Sequence, residues 1–142
     1  MDTHYSIEYI ESPEKLEWGT IGGGLRAFNT EQAGDDSYEH VCFMLKDSEG
    51  TIVGGVIGAT YWGWLYIDLM WVKEDLRGQG FGRRLLNLAE DTARERGATH
   101  VYLDTFTFQA PNFYRKLGYE VFGELKDFPP GHDRYFMTKT LG

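Results

Sequence analysis

Between residues 41 and 72 the chain carries three largely apolar runs broken by short polar or glycine-bearing segments. Residues 41–46, 51–61 and 64–72 each carry the apolar, branched and aromatic side chains of a strand. The breaks Asp47-Ser48-Glu49-Gly50 and Trp62-Gly63 read as turns, so the three runs fold as successive hairpins. Gly54, Gly55 and Gly58 interrupt the second run and mark a bulge or a close backbone approach. From Phe81 a helical period begins. Phe81, Leu85, Leu88, Ala89, Thr92 and Ala93 recur at three- and four-residue spacing, which predicts a helix ended by Gly97. Residues 100–106 read as a strand, so strand, crossover helix and strand form one right-handed parallel unit. Residues 110–117 read as a short helix stopped by Gly118. Residues 119–125 and 135–141 close the pattern as an antiparallel pair, joined by a loop at 126–133 that contains Pro129-Pro130-Gly131.

The first forty residues are less regular. Residues 6–10 read as a short strand. Pro13, Leu16, Trp18, Ile21, Leu25 and Phe28 have partial helical spacing, but Gly19 and Gly22-Gly23-Gly24 weaken it. The expectation there is one or two short helices or a loop that adapts to a ligand, followed at 29–39 by a further loop or short helix. The resulting fold class is α/β, a mixed sheet with antiparallel strands first, then a parallel βαβ unit, then a C-terminal antiparallel pair.

The chain has 142 residues, of which 42% are apolar. That suits a single domain, 1–142, with a real core. No apolar run reaches membrane-spanning length, and the start lacks the pattern of a secretory signal. Cys42 is the only cysteine, so the expected compartment is a reducing cytoplasm. Its strand setting reads as a buried, inert thiol. The net charge of −8 disfavours nucleic acid and favours cationic small molecules or basic peptide segments. No histidine pair has metal-ligand spacing, so no metal is expected.

The chemistry concentrates at Arg77-Gly78-Gln79-Gly80-Phe81-Gly82, between a strand and a helix. Glycines let the main chain approach a ligand closely, and the helix start offers free N–H groups and partial positive charge. The segment therefore reads as a pyrophosphate-binding device, with Arg77, Arg83 and Arg84 reversing the overall charge locally. The G-x-x-x-x-G-K-[ST] loop is absent, and G-x-G-x-x-G does not match the spacing at 78, 80 and 82.

These residues resemble the R/Q-x-x-G-x-G/A element of the GNAT (GCN5-related) N-acetyltransferase superfamily. Asn112-Phe113-Tyr114-Arg115-Lys116-Leu117-Gly118-Tyr119 resembles a second element of that family, in the expected order. The resemblance covers residues 41–141 and implies a GNAT-like acyl-coenzyme A fold with acetyl-coenzyme A as cosubstrate. It implies that amides from Gln79 to Gly82 cradle the diphosphate beside Arg77 and Gly78. It implies that the strand end at Leu69, Met70, Trp71 and Val72 splays from residues 100–106. The pantetheine arm then lies in the gap, with the amides of Met70 and Val72 as donors. Asn112 takes the position of a coenzyme-contacting side chain.

Acetyl transfer to an amine requires a neutral amine, a polarised carbonyl and a proton for the leaving thiolate. Tyr114 is the candidate general acid, a phenol that stays protonated at neutral pH. The alternative is a core aromatic beside Phe113. Asp68, among apolar neighbours, is the candidate base or ammonium anchor, with Asp104, Glu39 and His40 as rivals, or water as the base. Trp18, Phe28, Tyr61, Trp62, Trp64, Tyr66 and Trp71 are core or hairpin aromatics, or faces against a cation. The 126–133 loop is a closing flap or a stiff connection. The function expected is N-acetylation of a primary amine on a small cationic metabolite, drug or polyamine. Peptide or protein amines, and a non-catalytic acyl-coenzyme A sensor, are the alternatives. Exposed sheet edges admit a homodimer.

Overall fold

Trp62 and Gly63 both take positive φ, 45° and 76°, the backbone that a tight two-residue hairpin demands. They fold strand β2 (Ile52–Tyr61) back on β3 (Trp64–Val72). The preceding turn is held by Asp47, whose Oδ1 accepts from the amides of Glu49 and Thr51, both at 2.9 Å. It brings β1 (Glu39–Lys46) antiparallel to β2. The computed structural model describes residues 4–142 and divides into two compact units, Met1–Asp36 and Ser37–Gly142.

The larger unit continues through helix α2 (Phe81–Glu95), strand β4 (His100–Phe106), helix α3 (Pro111–Lys116) and strands β5 (Glu120–Leu125) and β6 (Arg134–Thr140). The sheet order is β1-β2-β3-β4-β6-β5. β6 lies between β4 and β5, and β3 with β4 is the parallel pair joined by the α2 crossover. Leu85, Leu86, Ala89 and Ala93 of α2 cover Val41, Val56, Leu65, Ile67, Val101 and Leu103 of the sheet. This is the fold class expected from the order of strand runs, turns and the helical period that begins at Phe81.

The β2–β3 register slips at Ile57/Gly58. Ile57 pairs with Leu69 and Gly58 with Ile67, so Asp68 is the extra residue of a bulge in β3. The side-chain phase flips there. Leu65 and Ile67 point into the core before it, Met70 and Val72 pack on the core after it, and Asp68 and Leu69 are both left exposed. Gly58 is required at this slip, because a Cβ would sit 2.1 Å from the Tyr66 carbonyl oxygen. Gly58→Ala is therefore expected to cost about 1–3 kcal/mol, read as a lower midpoint in denaturant unfolding.

Cys42 is exposed, not buried. Val41, Phe43 and Leu45 take the core side of β1, so alternation turns Cys42 and Met44 outward.

The smaller unit corrects the reading of the first forty residues. Residues 6–10 form no strand. A strand exists only by pairing, and within this unit the rest of the regular structure is helix. That helix, α1 (Lys15–Ala33), is continuous through all four glycines. It opens with the Glu14 amide donating to Glu17 Oε1 at 3.2 Å and ends at Gly34.

Candidate active site

β3 and β4 pair only from Trp64–His100 to Tyr66–Tyr102. Beyond Tyr66 the bulge turns β3 away, and no ladder joins it to β4. The opening is a cavity of about 750 Å³ walled by Asp68, Met70, Val72, Asp104, Phe108 and Tyr114, among others. The Lys73 amide bonds to the Val53 carbonyl of β2 at 2.9 Å. Amide direction alternates along a strand, so Trp71 faces β2 while the amides of Met70 and Val72 face the opening.

The upper end of the cavity is basic and rich in main-chain donors. A 3₁₀ turn, Glu74–Leu76, leads into Gly78 and Gly80, which take φ of 78° and 86°. Nothing lies within 4 Å of a Cβ built on either glycine. Gly80 is the N-cap of α2, so the first-turn amides of that helix have no intrahelical partner. Arg77 is fixed by a 2.9 Å bond from Nε to the Val72 carbonyl. Arg77, Gly78, Gly80, Phe81, Gly82 and Arg83 line this end, as does Trp71. This donor set fits a diphosphate. Gln79 lies outside the cavity lining, its side-chain amide donating at 3.5 Å to the Asp75 carbonyl. Asn112 also lies outside it, exposed on α3, with Oδ1 accepting from Arg115 at 3.0 Å.

The lower end is phenolic and acidic. Tyr114 is 8% exposed and belongs to the cavity wall. Burial, with the Asp104 charge adding to it, pushes its phenol up to about 12. Behind it lies a buried network. The Tyr119 hydroxyl donates to Glu90 Oε2 at 2.7 Å, and Lys139 Nζ donates to Oε1 at 3.0 Å. The Tyr119 ring meets the Tyr114 ring edge-on at 5.7 Å, so α2 and β6 together hold Tyr114 in place. Asp68 projects from the bulge, and its charge adds to burial in raising the Tyr66 phenol. Tyr66 stacks on Tyr102 at 4.8 Å, and Tyr102 is hydrogen-bonded through its hydroxyl to Tyr61.

The rivals of Asp68 are otherwise occupied. Asp104 lines the cavity, but its Oδ1 accepts from Arg134 Nε at 2.9 Å and Nη2 at 2.7 Å. Glu39 pairs with Arg96 at 3.1 Å, and His40 sits edge-on to Tyr38; neither lines the cavity. The 126–133 loop is stiffened by its own bonds, Gly131 N–H to Asp127 Oδ1 at 2.9 Å and Phe128 N–H to the His132 carbonyl at 2.7 Å. Sequence reasoning missed Leu103, Thr105, Phe108, Gln109 and Phe113 on the wall. The segment following the carboxyl end of a parallel strand commonly lines such a crevice, and that signal points to Phe108. Among the described residues no group of three or more His, Cys, Asp or Glu is placed to hold a metal ion, and no helix is long and apolar enough to cross a membrane.

The Acetyltransferase (GNAT) family model matches residues 5–119, and the chain belongs to that family. It is 41% identical over 93 residues to a blasticidin-S acetyltransferase of Streptomyces morookaense, covering 65% of this chain and 68% of that protein. Among solved structures, an acetyltransferase from Bacillus cereus superposes with TM-score 0.83 at 37% identity, covering 94% of this chain and 97% of the other. A putative acetyltransferase from Agrobacterium tumefaciens superposes with TM-score 0.91 at 28% identity, covering 96% and 99%.

Proposed function

We propose that this protein transfers an acetyl group from acetyl-coenzyme A to the primary amine of a small cationic molecule, by direct attack in a ternary complex. The observation that carries the reading is the cavity between β3 and β4. It runs from the donors at the start of α2 to Tyr114 and Asp68. The similarity to an enzyme named for blasticidin-S supports a small-molecule acceptor.

In this reading the α2 amides from Phe81 to Arg83, with Arg77, hold the diphosphate. The Met70 and Val72 amides hold the arm and polarise the thioester carbonyl. The acceptor ammonium is drawn to Asp68 and loses its proton to that carboxylate or to water. Its nitrogen forms the new bond to the acetyl carbon as the carbon–sulfur bond breaks, Tyr114 gives its proton to the leaving sulfur, and the second proton the nitrogen sheds restores the phenol.

Incubating the protein with acetyl-coenzyme A and a panel of amines, and measuring free thiol, tests this. Acceptor-dependent thiol release is expected. Coenzyme binding with no such release across the panel would favour an acyl-coenzyme A sensor. Asp68→Asn is expected to raise the acceptor KM or alter the pH–rate profile. Unchanged values for both would exclude Asp68 as base and anchor.

A further inference from the structure

The acidic end of the cavity is less negative than its two carboxylates suggest. Asp104 is answered by Arg134, whose Nε and Nη2 both reach the same oxygen. Asp68 lines the same cavity and forms no ion pair among the described residues. The cavity floor therefore carries one uncompensated negative charge. The Arg134 guanidinium is itself boxed by three rings, Phe106, Phe128 and Phe136, at 5.2–5.5 Å. That packing holds Arg134 on Asp104.

The same box supports a flat apolar shelf at the cavity mouth. Phe106 and Phe108 lie with planes within 2° of parallel, centroids 5.4 Å apart. Phe128 tilts against Phe106 at 5.6 Å, and His132 meets Phe108 edge-on at 5.0 Å. Phe108 belongs to the cavity wall, yet it is 55% exposed, and Phe128 is 43% exposed. Large aromatic faces left open beside a cavity mark a place where a ligand covers them.

We infer that the acceptor is a singly charged amine carried close to a planar unsaturated ring, the ring covering Phe108 while the nitrogen reaches Asp68. This rests on the acetyl-transfer reading and narrows it. One uncompensated carboxylate matches one ammonium, and a polyamine would place a second cation where Arg134 already neutralises Asp104. A flat face beside Phe108 rewards ring stacking over an aliphatic chain of the same size. Phe108 and Arg134 are then specificity-determining residues.

The test compares three acceptors with acetyl-coenzyme A and the free-thiol readout: 2-phenylethylamine, 2-cyclohexylethylamine and putrescine. The expected order of kcat/KM has phenylethylamine about five- to tenfold above cyclohexylethylamine, with the difference in KM, and putrescine lowest. Phe108→Leu should bring the phenyl compound down to the level of the cyclohexyl one, while Phe108→Tyr keeps the preference. Phe108 is exposed, so these variants test the shelf without disturbing the core. Arg134→Gln should uncover Asp104 and improve putrescine relative to phenylethylamine. Equal kcat/KM for the two ring compounds in the parent, or a preference that survives Phe108→Leu, overturns the inference and leaves acetyl transfer standing. Absence of thiol release with every amine of the broad panel overturns acetyl transfer itself.

Discussion

Tyr114→Phe is expected to lower kcat by about 100-fold or more, the range for loss of a positioned general acid, while the affinity for acetyl-coenzyme A stays within about twofold of the parent. The variant removes one hydroxyl from a ring otherwise held by Tyr119 and the α3 turn, so the fold should survive and its melting temperature should change little. The phenol is raised by burial to about 12. Raised means that the neutral, donating form persists through the working pH range. The parent should then show no descending alkaline limb from this group at ordinary pH, and the variant should have the same profile shape at a lower plateau. Stopped-flow thiol release with calorimetric coenzyme binding separates the effects. Unchanged kcat would remove Tyr114 from the acid role.

Gly80→Val is expected to weaken acetyl-coenzyme A binding by about 100-fold or more, through loss of charge-assisted bonds to the diphosphate. Gly80 has φ of 86°, a conformation that a β-branched residue adopts only with strain of about 1–3 kcal/mol. The space a Cβ would enter is open, and Gly80 lines the cavity as the N-cap of α2. A branched side chain there meets the bound diphosphate and not the protein. Gly80→Asn separates the two costs, since asparagine tolerates the left-handed region. It should recover most of the lost melting temperature and still bind the coenzyme weakly. Undiminished calorimetric affinity in Gly80→Val would contradict the cradle.

The strands and helices from residue 39 onward were legible because each depends on local signals. Apolar runs rich in branched and aromatic residues set β1 to β4, Asp47 and Trp62-Gly63 set the turns, and the onset of helical spacing at Phe81 set α2. Gly58 marked the bulge, but which residue the slip leaves over depends on pairing with β3. The singling out of Asp68 by geometry was therefore not readable. Nor was the capture of Asp104, since Arg134 lies 30 residues away and reaches it across the β4–β6 ladder. Cys42 was misread because strand membership does not say which face a residue takes. α1 was obscured by four glycines, each worth about 1 kcal/mol against helix relative to alanine, although Leu16, Ile21, Leu25 and Phe28 kept the helical spacing. Residues 6–10 alternate like a strand, but alternation supplies no partner.

The Arg77–Gly82 segment was legible as a phosphate site because glycine placement and a helix start are local. At the acceptor end Asp68 and Tyr114 were named from the chain, but Phe108 on the wall and the pairing of Arg134 with Asp104 depend on the splay of two strands and the closing hairpin.

The most direct measurement is a crystal structure of the protein soaked with acetyl-coenzyme A. The expected density places the diphosphate on the amides from Phe81 to Arg83, the thioester carbonyl within hydrogen-bond distance of the Met70 or Val72 amide, and the sulfur beside the Tyr114 hydroxyl. Coenzyme bound elsewhere, with the opening between β3 and β4 empty, would contradict the assignment.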